Sequence, residues 1–170
     1  HPELTRVSQI YHLASPASPQ RYRADPFGTI AANTTGTMKL LELARRTGAK
    51  LVYTSTGEAG GECEVHRPAV AGQGRMDRWG PLAGYLESKR LGEVYCYEYH
   101  TRYGVDVAIA RIADTYAGGL RADDGFMIPS FIRQALDGAN LTVCGDGSHK
   151  RSFCYVDDTV EGLRRVMETK

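Results

Sequence analysis

Apolar positions along the chain fall alternately into short continuous runs and stretches with helical spacing. Residues 8–14, Ser-Gln-Ile-Tyr-His-Leu-Ala, form a short, mostly apolar, β-prone run that stops at Pro16 and Pro19. That is the pattern of a buried strand feeding a loop. From 26 to 47 the apolar residues Ile30, Met38, Leu40, Leu41, Leu43 and Ala44 recur at helical spacing, and Gly48 stands where a helix-terminating glycine belongs. Residues 49–55 read as a second buried strand, so this opening segment predicts a βαβ unit with parallel strands. The Gly-rich, polar stretch 57–80 predicts an active-site loop. Beyond it the pattern predicts a helix at 83–103, a strand at 105–112 and a helix at 127–136. Short strands at 141–144 and 152–156 flank a Gly145-Asp146-Gly147 turn, and a final helix begins at Asp157. The alternation predicts an α/β fold, with no internal repeat.

Composition narrows the class. A chain of 170 residues, 42% hydrophobic, suits one domain with a buried core. Its 21 basic and 20 acidic residues nearly cancel and form no basic stripe, which argues against nucleic acid or an anionic membrane as partner. Cys63, Cys96, Cys144 and Cys154 are scattered, without metal-ligand spacing, so the sequence predicts no metal site and reduced thiols in a cytoplasmic protein. No apolar run approaches the roughly 20 residues that span a bilayer.

Chemistry concentrates in a few places. Tyr85 and Lys89 are four apart on one predicted helix and share a face. In such a pair the ammonium is expected to lower the phenol pKa, making Tyr a base near neutral pH, while Lys reaches a ribose hydroxyl. Two amphipathic surface residues are the plain alternative. Ser55, Thr56 and Glu58 put hydroxyls and a carboxylate at the carboxyl edge of the expected parallel sheet, where open α/β folds bind ligands, although a polar strand end has the same composition. Arg151, flanked by His149 and Lys150, is either a bidentate diphosphate contact or a solvated basic turn. Asn33 is either a buried brace behind the Tyr85 helix or an exposed polar residue.

These residues also carry a resemblance. Tyr11-His12-Leu13-Ala14-Ser15-Pro16-Ala17-Ser18-Pro19, Asn33-Thr34-Thr35-Gly36-Thr37, Ser55-Thr56-Gly57-Glu58, Tyr85-Leu86-Glu87-Ser88-Lys89-Arg90, Ala110-Arg111-Ile112 and the stretch from Gly145-Asp146-Gly147-Ser148 to Arg151-Ser152-Phe153-Cys154-Tyr155-Val156-Asp157-Asp158 resemble, in order and spacing, the UDP-glucuronate decarboxylase (UDP-xylose synthase) family of extended short-chain dehydrogenase/reductases. The resemblance implies a Rossmann-like, doubly wound parallel sheet. It further implies an NAD that oxidises C4 of a UDP-sugar, lets the C6 carboxylate leave as CO2, and returns its hydride. Carried over by position, Tyr85, Lys89, Thr56 and Glu58 are catalytic. Leu13, Ala14, Ser15, Asn33, Thr54, Ser55, Tyr85, Lys89 and Ile112 face NAD, and Asp114, Arg151 and Tyr155 meet the substrate. A homodimer is implied through the helices at about 30–47 and 83–103.

The sequence departs from the family pattern at several positions. Gly57 replaces a Ser or Asp, Ala59-Gly60 a Val-Tyr, Asp114 a phosphate-facing Asn, and Gly118-Gly119 a Pro-Arg. The family's first βαβ with its GxxGxxG turn would precede His1, and its C-terminal substrate segment would follow Lys170. Residues 1–170 are thus expected to be a partial NAD-binding domain, with the start of the sugar-binding part at about 113–156. On its own such a chain should bind NAD poorly, as a piece of a longer protein or a reduced paralogue. Two alternatives stay open: another nucleotide-sugar 4-epimerase, 4,6-dehydratase or 4-ketoreductase, and a non-catalytic nucleotide-sugar-binding paralogue.

Overall fold

Gln9–His12 (β1), Lys50–Thr56 (β2) and Val107–Ile112 (β3) form a parallel sheet with β2 in the middle. They belong to a computed structural model that describes residues 4, 6–60, 79–121, 124–143, 145–147 and 151–169. A strand covered on both faces has to be apolar or internally satisfied throughout, and Leu51 to Ser55 of β2 are all buried. On one face Leu51 and Tyr53 join Ile10, Leu41, Ala44, Cys96 and Val105; on the other Val52 meets Leu163 and Met167. Helices therefore cover both faces, as a doubly wound sheet requires.

The helices follow their capping signals. Pro19–Ala24 (α1) and Pro26–Ala31 (α2) each begin with proline, behind Ser18 and Asp25, whose side-chain oxygens accept from the amides of Arg21 and Gly28. The strand does stop into a loop that contains Pro16, as the sequence pattern expects, but Ser18-Pro19 then starts a helix that the pattern does not predict. Ala32–Gly36 is a π-helical turn and Thr37–Thr47 (α3) continues it, so the single helix expected at 26–47 is one path with an inserted turn. The turn leaves Asn33 and Thr37 both fully buried. Ala83–Tyr103 (α4) ends at Gly104, whose φ of 67° is the left-handed cap that favours glycine.

The second corrected region lies after β3. Asp114–Tyr116 (β4) pairs in parallel with Phe153–Tyr155 (β5), Asp114 opposite Phe153, while Met127–Leu136 (α5) intervenes and Val156–Glu168 (α6) follows. Residues 141–143 form no strand, so of the two short strands expected on either side of Gly145-Asp146-Gly147 only the second is found among the described residues; Cys144 lies outside them. The partner β5 takes is the distant β4. The loop expected at 57–80 is described only as the 3-10 turn Gly57–Gly60 and from Trp79 on, and Cys63, His149 and Lys150 lie outside the described residues.

Candidate functional site

The carboxyl edge of the sheet gathers most of the expected residues. Leu13, Ala14 and Ser15 follow β1, Thr54 to Glu58 end β2 and enter the 3-10 turn, and Ile112 closes β3 opposite Thr56. Leu13 and Ala14 are exposed, whereas the Ser15 hydroxyl oxygen is buried with no hydrogen-bond partner. Ile112 packs against the α6 face rather than standing free at the edge. Tyr155 ends β5, half-exposed, with its ring 5.4 Å from that of Tyr116.

Helix α4 delivers Tyr85 and Lys89 to this edge. Lys89 is only 4% exposed; its ammonium donates to the Thr54 carbonyl at 2.7 Å and lies over the rings of Tyr53 and Tyr85 at 5.2 and 6.0 Å. One of its three N–H donors is thereby committed, leaving two for a ligand hydroxyl. Desolvation lowers its pKa from 10.5 to about 8. The unfolded chain therefore holds this proton more tightly, and the folded state is penalised wherever Lys89 is charged, up to about pH 8. Stability gained from Lys89 is expected to rise as pH climbs from 8 to 9. The thermal-midpoint difference between wild type and Lys89→Met should shrink over that interval; a constant difference would contradict the buried charge. Comparing the two proteins cancels Cys96, whose thiol burial pushes up to about 12 and which acts with opposite sign.

Tyr85 corrects one sequence expectation. Its phenol is not lowered by Lys89; burial first, then Glu58, Tyr22 and Asp114, raise it from 10.0 to about 12. Desolvation of the buried phenol is the largest cause, and the ammonium lies over the ring, 6.0 Å from its centroid. Tyr22, not anticipated from spacing, stacks on Tyr85 with centroids 5.2 Å apart and planes 19° from parallel. Its signal was the Ser18-Pro19 helix start, which the proline-as-breaker reading conceals.

Charge at the other side of the phenol is organised by Arg151. Its Nη1 donates to Glu58 Oε1 at 3.2 Å and Asp114 Oδ2 at 3.1 Å. The β4–β5 register explains the meeting: Asp114 opens β4 with its amide on the Ser152 carbonyl, so Arg151 enters β5 alongside it. Thr56 Oγ1 accepts from the Glu58 amide at 3.3 Å, which leaves the Thr56 hydroxyl proton to donate elsewhere. Behind the helix, Asn33 takes the buried-brace role: its Nδ2 donates to Ser88 Oγ at 3.0 Å, and Ser88 Oγ donates to the Tyr85 carbonyl at 2.9 Å. Among the described residues no cluster of His, Cys, Asp or Glu is built to hold a metal ion, and no helix is long and apolar enough to cross a membrane.

Comparison with known proteins matches this arrangement. UDP-glucuronic acid decarboxylase 6 of Arabidopsis thaliana is 45% identical over 167 residues, covering 98% of this chain and 49% of that protein. The chain spans about half the length of the curated relatives it matches. Among solved structures, a double mutant of the dTDP-glucose 4,6-dehydratase DesIV from Streptomyces venezuelae, with NAD and DAU bound, superposes with a TM-score of 0.79 at 28% identity, covering 99% of this chain and 50% of that one. A mutant UDP-glucuronic acid 4-epimerase from Bacillus cereus, in complex with NAD and a fluorinated UDP-glucuronic acid, gives 0.78 at 28% identity, covering 98% and 51%. The NAD dependent epimerase/dehydratase family matches residues 2–170, and with the parallel sheet, the carboxyl-edge hydroxyls and the Tyr85–Lys89 helix all in place, the chain belongs to that family.

Proposed function

We propose that the full-length protein decarboxylates UDP-glucuronate to UDP-xylose, with NAD recycled in each turnover. The observation that carries this reading is the 45% identity to a UDP-glucuronic acid decarboxylase over nearly the whole chain. The residues fit the nicotinamide-ribose half of NAD: a buried ammonium with two unused donors and an unpartnered Ser15 hydroxyl suit a ribose diol, and exposed Leu13 and Ala14 suit a flat apolar ring. Bound NAD supplies the hydride acceptor, and a positive ring that opposes the two carboxylates.

The chain's own side chains do the remaining work. Tyr85 accepts the proton of the sugar 4-hydroxyl as hydride leaves C4, and returns it when the hydride comes back. The 4-ketone stands β to the C6 carboxylate, so the C5–C6 bond breaks with release of CO2, its electrons collect on the C4 oxygen as an enolate, and water supplies the proton that C5 takes up to restore the 4-ketone. Tyr85 and the free Thr56 hydroxyl stabilise that oxygen as charge builds. Glu58, held by Arg151, orients the sugar. The remaining Arg151 N–H groups hold the diphosphate, while Asp114, already paired with Arg151, repels it less than a free carboxylate would. Arg151→Ala is expected to weaken UDP binding about 10- to 100-fold, and Asp114→Asn to strengthen it, in calorimetry on the full-length protein. Equal affinities in all three proteins would remove Arg151 from this role.

Incubation with NAD and UDP-glucuronate should yield CO2 and a UDP-pentose. A second reading, a 4-epimerase or related enzyme, is favoured by Gly57, which opens the 3-10 turn without any group to deliver a proton to C5; intact UDP-galacturonate as product would establish it. We assign the protein to the cytoplasm on the free thiols of Cys96 and Cys154. We also assign it to a homodimer, because Ile30 and Met38 on the α2–α3 path and Leu91 and Val94 on α4 leave apolar stripes exposed at helical spacing.

A further inference from the structure

His12 is buried at the end of β1, and it touches three routes that lead to the Tyr85–Lys89 helix. Its Nε2 lies 2.9 Å from Thr37 Oγ1, and Thr37 Oγ1 donates to the Asn33 carbonyl at 2.6 Å. With the hydroxyl proton committed to Asn33, the proton between Nε2 and Oγ1 has to come from the imidazole. That fixes a neutral Nε2–H tautomer whose Nδ1 lone pair is buried without a partner. The route continues through Asn33 Nδ2 and Ser88 Oγ to the Tyr85 carbonyl. A second route leaves from the His12 carbonyl, which accepts from Thr54 Oγ1 at 2.9 Å, while the Thr54 carbonyl accepts from Lys89. The third is packing: the His12 ring lies 5.4 Å from the Tyr53 ring, whose hydroxyl donates to the Lys89 carbonyl at 3.3 Å and whose face lies under the Lys89 ammonium.

We infer that His12 is a positioning residue: as a neutral Nε2–H donor it locks the end of β1 to the π-helical turn, and through Thr54, Tyr53 and Asn33 it fixes Lys89 and Tyr85. Neutrality is part of the device, because an imidazolium would add a second cation beside Lys89. Burial, and then the Lys89 charge, lower its pKa from 6.5 to about 4, so it stays neutral across the physiological range. The charged or titratable groups around the pair are Tyr53 from β2 and Lys89 and Tyr85 from α4. The inference rests on the proposed function only for its kinetic readout.

The test uses the full-length protein labelled with carbon-13 at lysine Cε, with the Lys89 resonance assigned by Lys89→Arg. In His12→Phe, which keeps a ring against Tyr53 but has no donor, Lys89 should become more hydrated and titrate about one unit higher, with kcat down about 10-fold or more and KM little changed. Thr37→Val breaks the same bond from the other side and should reproduce both effects, which preserves the test should His12→Phe fail to fold. His12→Gln, whose amide can still donate to Thr37, should restore most of both. A Lys89 titration unchanged in both His12→Phe and Thr37→Val would overturn the inference. Because that titration needs no substrate, it decides the role of His12 even if UDP-glucuronate is not turned over, in which case only the proposed function fails.

Discussion

Tyr85→Phe is expected to lower kcat of the full-length protein by about 10²- to 10⁴-fold, the range a single general acid–base group contributes, while UDP affinity and thermal midpoint stay close to wild type. The expectation is sharp because the ring and the hydroxyl do separable things. The ring stacks on Tyr22 and lies beneath the Lys89 ammonium, and both contacts survive in Phe. The hydroxyl is the group that burial, Glu58 and Asp114 raise to about 12, so it is protonated at neutral pH in the free site and gives up its proton to form a base only when the ligands change that balance. Parallel measurements of kcat, UDP binding and melting decide the matter. A matching fall in stability would mean that Tyr85 is structural, and full activity would remove it from the reaction.

The second large effect is expected in stability, from Gly92→Ala. In an exposed helix this change gains about 1 kcal/mol from propensity. Here a Cβ at position 92 would stand 2.2 Å from Tyr53 Oη, 2.5 Å from its Cζ and 3.1 Å from the Asn33 carbonyl oxygen. Tyr53 is fully buried, so its ring has nowhere open to swing, and displacing it also loses its hydrogen bond to the Lys89 carbonyl. Overpacking of this kind costs typically 1–3 kcal/mol, and a buried hydrogen bond left unmade about 1–3 more. The clash outweighs the propensity, for a net loss of roughly 1–5 kcal/mol, readable in thermal or urea unfolding. Activity should fall as well, because Tyr53 lies under Lys89. A variant as stable as wild type would show that α4 can move away from β2 without penalty.

Local signals made much of this legible in the chain itself. The stretches at 83–103 and 127–136 gave helices with the bounds expected, because helix propensity fills the first up to its Gly104 cap and apolar periodicity marks the second. The central strand was readable as a continuous apolar run because it is covered on both faces. What escaped depends on distant partners. The β4–β5 pair joins two three-residue strands far apart in sequence: β5 falls within the strand expected at 152–156, whereas β4 and the pairing itself carry no local signal. Arg151 was identifiable as a cation, yet its capture by Glu58 and Asp114 follows only from that pairing. Burial first, then Glu58, Tyr22 and Asp114, reversed the expected direction of the Tyr85 pKa. Asn33 was open between brace and surface, and only the π-helical turn, which no spacing rule signals, turns it inward.

The most direct test of the account supplies the full-length protein and NAD with UDP-glucuronate deuterated at sugar C4, and follows the product by mass spectrometry. The account predicts a UDP-pentose that has lost CO2 and kept its deuterium, since the hydride that leaves C4 returns to it within one turnover. A product of unchanged mass, or a pentose without the label, would contradict it.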